Sequence, residues 1–131
     1  MTQSVRPLSP HLQVYRWQIQ MVTSIVHRAT GIALAAGSLL IVAGLLALAA
    51  GPESWSCFTA HAGAWYGLAF LVAWTWALAF HLLNGVRHLL QDAGFGFAVD
   101  RFVRNGWLVV VGSVVLTIIV WVALAARGVF A

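Results

Sequence analysis

Three long apolar runs divide the chain. No Asp, Glu, Lys or Arg occurs in 29–52, in 54–86 or in 105–126. The middle run holds two histidines, His61 and His81, able to take a positive charge. A helix needs about 20 apolar residues to cross ~30 Å of hydrocarbon, so each run is long enough to span a bilayer. The runs are too long for barrel strands, and lipid offers no partner to an open sheet edge. The pattern therefore predicts an all-α membrane protein with transmembrane helices at about 22–50, 62–90 and 104–126. A segment 1–21 precedes the first span. Gly51-Pro52-Glu53-Ser54 is a helix breaker opening a short polar connection, and 91–103, with Gly94 and Gly96, forms the second connection.

Composition agrees with this pattern. Of 131 residues, 62% are hydrophobic and 8% charged, against about 25% charged in a soluble domain. One domain is expected, and three spans leave no room for a soluble enzyme domain, so any soluble chemistry belongs to other chains. The net charge of +4 raises the question of nucleic acid. Its distribution answers it: the basic residues are all arginine and sit at the ends of apolar runs, with no track to follow phosphates. Three crossings put Arg6, Arg16, Arg28, Arg87, Arg101 and Arg104 on one side, and Arg127 with Glu53 on the other. Positive residues in short loops stay in the cytoplasm, so the N-terminus and second connection are expected there. Trp17, Trp55, Trp65 and Trp107 fall near span ends, where indole suits the interface; Trp74, Trp76 and Trp121 lie deeper and suit packing. The N-terminal 20 residues lack the apolar core of a secretory signal and the bias of a transit peptide, which fits an unprocessed bacterial chain. Cys57 is the only cysteine, so there is no internal disulfide, no C-x-x-C-H and no C-x-x-C pair.

Two polar groups interrupt the apolar runs. Ser24, His27, Arg28 and Gly31 follow the i, i+3, i+4, i+7 spacing of one helix face, near the cytoplasmic mouth of the first span. They fit an interfacial anchor with Arg28 reaching the head groups, or a site that binds a quinone carbonyl or an anionic propionate. His81 lies within the apolar part of the second span, where an ionisable group normally faces the protein interior and has a partner. It fits either a hydrogen bond to a neighbouring helix or an axial bond to haem iron. His88, seven residues on, shares its face about 10 Å nearer the cytoplasm. Gly85 between them would let a flat macrocycle or a helix come close, and Arg87 offers either charge to a propionate or a topological anchor. His61 lies at the opposite end and reads as interfacial. The third span shows no chemical group, and a six-coordinate haem would need another chain.

Arg6-Pro7-Leu8-Ser9-Pro10-His11-Leu12, then Tyr15, then Ser24-Ile25-Val26-His27-Arg28-Ala29-Thr30-Gly31 resembles the cytochrome b subunits of succinate dehydrogenase. His81-x-x-Asn84-Gly85-Val86-Arg87-His88-Leu89, with Asp92 and Gly94 after it, resembles the second signature of that family. The likeness covers about the first 95 residues. It implies the large membrane anchor of respiratory complex II, in the bacterial inner membrane. There a flavoprotein subunit oxidises succinate and an iron–sulfur subunit passes electrons to ubiquinone. By the same resemblance His81 matches the axial ligand of haem b, and a small membrane anchor subunit would supply the other ligand. Ser24 and Arg28 match quinone-site residues, while His27, Arg28 and His88 match positions near the haem propionates. The segment 1–21 matches the part lying against the iron–sulfur subunit. Gln91 departs from the pattern, since many relatives have an aromatic residue there. A fumarate reductase anchor is the alternative within the family, and a haem-free membrane scaffold with His27 and His81 as packing residues is the alternative outside it.

Overall fold

A computed structural model describes residues 16–128 as four α-helices, with no strand among the described residues. Helix α1 spans Ile19–Ala50, α2 Pro52–Gly63, α3 Trp65–Asp92 and α4 Val99–Ala126. Helices α1, α3 and α4 are long and apolar enough to cross a membrane. At 32 residues, α1 is about 48 Å long and outruns the hydrocarbon layer by several turns. It begins where Gln18 turns extended and its carbonyl accepts the amides of Met21 and Val22, three residues ahead of the expected start.

The first connection is not the short polar loop expected from the sequence. After Gly51 closes α1, Pro52 stands at the start of α2, where its missing N–H costs no hydrogen bond and its fixed φ suits a helix. Glu53 in the first turn complements the helix N-terminus. Helix α2 then folds back so that Phe58 lies against Gly44 of α1. The second span consequently begins at Trp65 and not at 62, because 62 and 63 belong to α2. Similarly, α4 starts at Val99, so the second connection shrinks to 93–98 and Arg101 and Arg104 ride on the first turns of the helix. The charge at Arg104 marks the edge of the apolar run; the helix itself extends past it, with Asp100 favourable in the first turn.

Buried positions recur at intervals of three, four and seven. They are Thr23, Thr30, Gly37 and Gly44 on α1, Ala77, Phe80, Asn84 and Arg87 on α3, where Ala79 is buried as well, and Gly106, Val109, Ser113 and Thr117 on α4. Such spacing keeps one seam of each helix turned toward its neighbours along its length. Most of these residues are small or hydroxylic. In lipid there is no hydrophobic force between helices, so close backbone approach and hydrogen bonding hold them together. Each buried hydroxyl is satisfied within its own helix: Thr23 donates to the Gln20 carbonyl (3.2 Å), Ser113 to Val110 (2.8 Å) and Thr117 to Ser113 (2.8 Å). At Gly37 the approach leaves no room for a side chain, since a Cβ there would overlap the ring of Trp74. Conversely, Ile32, Leu39, Leu46 and Leu108 are all more than 60% exposed, as suits lipid or a neighbouring chain.

The helices alternate in direction. His27 near the start of α1 meets His81 and His88 late in α3, and Ile19 meets Gly106 early in α4. One end of the bundle thus gathers Arg16, Arg28, Arg87, Arg101 and Arg104, while α2 with Glu53 and the end of α4 with Arg127 occupy the other.

Candidate functional site

Three histidines from two helices come together near the arginine-rich end. The rings of His27 and His81 stack with centroids 3.9 Å apart and planes 7° from parallel. His88 stands one layer beyond, its centroid 5.3 Å from that of His27 and its plane tilted by 59°. The backbone opposite makes space for this: a Cβ on Gly31 would lie 3.0 Å from Cε1 of His81, tighter than packed side chains normally come.

The hydrogen bonds of His81 fix which nitrogen carries its proton. Nδ1 lies 3.1 Å from the His27 carbonyl oxygen and 3.3 Å from Oγ1 of Thr30. A carbonyl only accepts, so Nδ1 is the donor. Thr30 is free to receive it, because its own hydroxyl reaches the carbonyls of Val26 (2.8 Å) and His27 (3.0 Å). In the neutral ring Nε2 is then left with a lone pair, the form that binds metal. No hydrogen bond to Nε2 occurs among the described residues.

A second chain of contacts runs along α3 on the other side. The Nη1 of Arg87 donates to Oδ1 of Asn84 (3.3 Å), and Nδ2 of Asn84 lies 3.1 Å from Nε2 of His88. Asn84 is wholly buried and Arg87 is 6% exposed. The guanidinium lies 4.6 Å from the centre of the Phe102 ring on α4. Such a contact offers about 0.5–2 kcal/mol and offsets part of the cost of burying the charge. Helix α4 therefore touches this network through Phe102, a residue ahead of the span 104–126 expected from the sequence.

The polar set on α1 divides. His27 and Gly31 contact His81, Ser24 is half-buried, and Arg28 is exposed. Arg28 is turned away from the seam marked by Thr23 and Thr30, so Arg28 and Ser24 border a surface outside this chain's own core. At the opposite end His61 hydrogen-bonds the Tyr66 hydroxyl across the α2–α3 corner, well apart from the cluster. Gln91 is half-buried in a cleft between α3 and α4 that Arg87 also lines, its Nε2 without a hydrogen-bond partner among the described residues. Arg6-Pro7-Leu8-Ser9-Pro10-His11-Leu12, Tyr15 and most of the segment 1–21 lie outside the described residues.

Several buried polar atoms have no hydrogen-bond partner among the described residues: Nδ1 of His27, and Nε and Nη2 of Arg87. Burying such groups without partners costs on the order of 1–3 kcal/mol each, which points to groups beyond this chain that complete them. Among the described residues no three His, Cys, Asp or Glu side chains converge on a common ion position. The arrangement thus offers the Nε2 lone pair of His81 with polar groups around it, not an ion cage. Reasoning from sequence weighed Arg87 for a propionate but missed Thr30, Asn84 and Phe102 as parts of this site. Thr30 and Asn84 did carry a signal, since both are polar residues on the buried seam of an apolar helix.

The profile of a family described as the succinate dehydrogenase/fumarate reductase transmembrane subunit matches residues 2–120. The chain is 43% identical over 114 residues to the succinate dehydrogenase cytochrome b556 subunit of Paracoccus denitrificans, covering 87% of this chain and 88% of that one. It is 41% identical over 117 residues to the cytochrome b556 subunit of Rickettsia felis, covering 89% and 91%. It is also 39% identical over 117 residues to the mitochondrial succinate dehydrogenase cytochrome b560 subunit of Mus musculus, covering 86% and 68%.

Proposed function

Because the chain belongs to the succinate dehydrogenase/fumarate reductase transmembrane subunit family, we propose that it is the large anchor of a succinate:quinone oxidoreductase, binding haem b through His81. The observation that carries this is the hydrogen bonding of His81. Its Nδ1 is tied to a backbone carbonyl, so the neutral ring holds a lone pair on Nε2, inside an apolar span. That donor set fits a haem: one intramembrane imidazole, with His27, His88 and the open Nε and Nη2 of Arg87 on the same part of the bundle for anionic propionates. Haem supplies a one-electron store next to the quinone site. A small anchor chain would supply the other ligand. His27 lies flat on the ring of His81 and would stand beside it as a neighbour of the ligand.

The residues on α1 divide the remaining work. Ser24 and Arg28 border the outward surface and bind the quinone there, the hydroxyl donating to a carbonyl oxygen and the guanidinium favouring negative charge that develops on it. The arginine-rich end faces the cytoplasm, where the iron–sulfur and flavoprotein subunits dock; the segment 1–21 contributes to that contact. Succinate oxidation takes place on the flavoprotein, and this chain binds and orients the electron acceptor. The relatives named above are all succinate dehydrogenase subunits, which favours succinate oxidation over fumarate reduction as the working direction.

The test is a complex purified through a tag on this chain. It should reduce ubiquinone with succinate. Arg28→Ala and Ser24→Ala should lower quinone reduction at least tenfold, the scale of losing one charge-assisted hydrogen bond. Reduction of a soluble dye at the flavoprotein should persist in both. Unchanged quinone turnover in the assembled Arg28→Ala complex would remove Arg28 from the site.

A further inference from the structure

Arginine can only donate, and that fact propagates through three side chains. Since Nη1 of Arg87 donates to Asn84, the atom it meets must be the carboxamide oxygen, and the Asn84 amide is fixed in one orientation. Its Nδ2 then faces His88 and has only hydrogens to offer, so Nε2 of His88 must accept. A neutral imidazole that accepts at Nε2 carries its proton at Nδ1. No hydrogen bond to that Nδ1 occurs among the described residues, so its N–H is available to an acceptor beyond this chain.

We infer that Arg87 and Asn84 are positioning residues that lock the tautomer of His88, so that its Nδ1–H is presented to a carboxylate of the haem edge. This rests on the reading of His81 as the haem ligand. Three features of the fold support a brace over ordinary packing. Both Asn84 and Arg87 lie on the buried seam of α3, where an unneeded polar side chain would be costly. Phe102 of α4 lies 4.6 Å from the guanidinium carbon, so Arg87 cannot swing away without losing that ring contact. Finally, the brace runs one way only. Every hydrogen bond in it points from Arg87 toward His88, and no member can reverse unless Arg87 lets go.

The test uses the assembled four-chain complex and reads the reduction equilibrium of haem b, not turnover. Asn84→Asp keeps the shape but replaces the donor by an acceptor. The carboxylate takes one hydrogen bond from Arg87 and one from His88, which moves the imidazole proton to Nε2 and turns a lone pair toward the propionate. Losing that charge-assisted hydrogen bond leaves the propionate less neutralised and favours ferric haem. The ferric-to-ferrous ratio at a fixed applied potential should rise by about tenfold, with the haem still bound. The same substitution in a His88→Leu background separates the tautomer from the added charge, and there the shift should shrink severalfold. An equal shift in both backgrounds, or none in either, overturns the inference. Should the carboxylate block assembly, Asn84→Leu frees both tautomers and should give a smaller shift that again vanishes without His88. A wild-type complex with no b-type absorbance defeats the haem reading itself; a haem indifferent to Asn84 defeats only the brace.

Discussion

A Cβ on Gly31 would lie 3.0 Å from Cε1 of His81, whereas one on Gly85 would lie 3.8 Å from Cε1 of His27, an ordinary contact. The sequence suggested Gly85 as a place where a macrocycle or a helix comes close; within this chain the tighter contact at the histidines is at Gly31, one helix over. Gly31→Val should therefore push His81 off its hydrogen bonds. Overpacking of this kind costs about 1–3 kcal/mol, or roughly five- to a hundredfold in haem affinity. Gly85→Ala should leave haem content unaltered, and the haem-to-protein ratio of the purified complex checks both. Some of this site is readable in the sequence, because a histidine inside an apolar run needs a partner whatever the fold. Helical spacing also put His81 and His88 on one face. Spacing within α1, however, could not say which of Ser24, His27 and Arg28 turns inward. That depends on where α3 lies, and the structure sends His27 in and leaves Arg28 out.

Helix boundaries were less legible than helix faces, for a physical reason. Charge marks where an apolar run meets water, but a helix can continue past that edge, because water satisfies the amides of its first turn. Both α1 and α4 do so. Likewise Gly51-Pro52 ends one helix and starts another, and the same residues read as a loop when only the breaker is considered. Packing between elements yields two stability predictions. Gly37→Leu would force a side chain into the ring of Trp74 and separate α1 from α3, lowering stability by about 1–3 kcal/mol. Phe102→Leu removes the platform under Arg87 and should lower stability by about 0.5–2 kcal/mol through α3 and α4. Thermal unfolding of the complex in detergent measures both. A Gly37→Leu complex as stable as the wild type would mean that α1 and α3 do not approach as closely as described.

Taken as a molecule, the chain has too little buried apolar surface to stand alone in water. Its buried hydrophobic residues among those described are Ala77, Ala79, Phe80 and Val109, and its large aliphatic side chains mostly point outward. In the proposed assembly, lipid and partner chains cover that surface and the arginine bias orients it. Cys57 is exposed on α2, at the end away from the arginines. A membrane-impermeant maleimide should accordingly label it in spheroplasts and not in inverted vesicles. Labelling only in inverted vesicles would reverse the proposed orientation and move the quinone site to the wrong side for its electron donor. The account as a whole turns on one nitrogen, Nε2 of His81. Its most direct test is the dithionite-reduced absorbance spectrum of the complex carrying His81→Ala, purified with all subunits present. The account predicts that the b-type haem bands are lost or strongly reduced, with the subunits retained. An unaltered spectrum and haem content would contradict it.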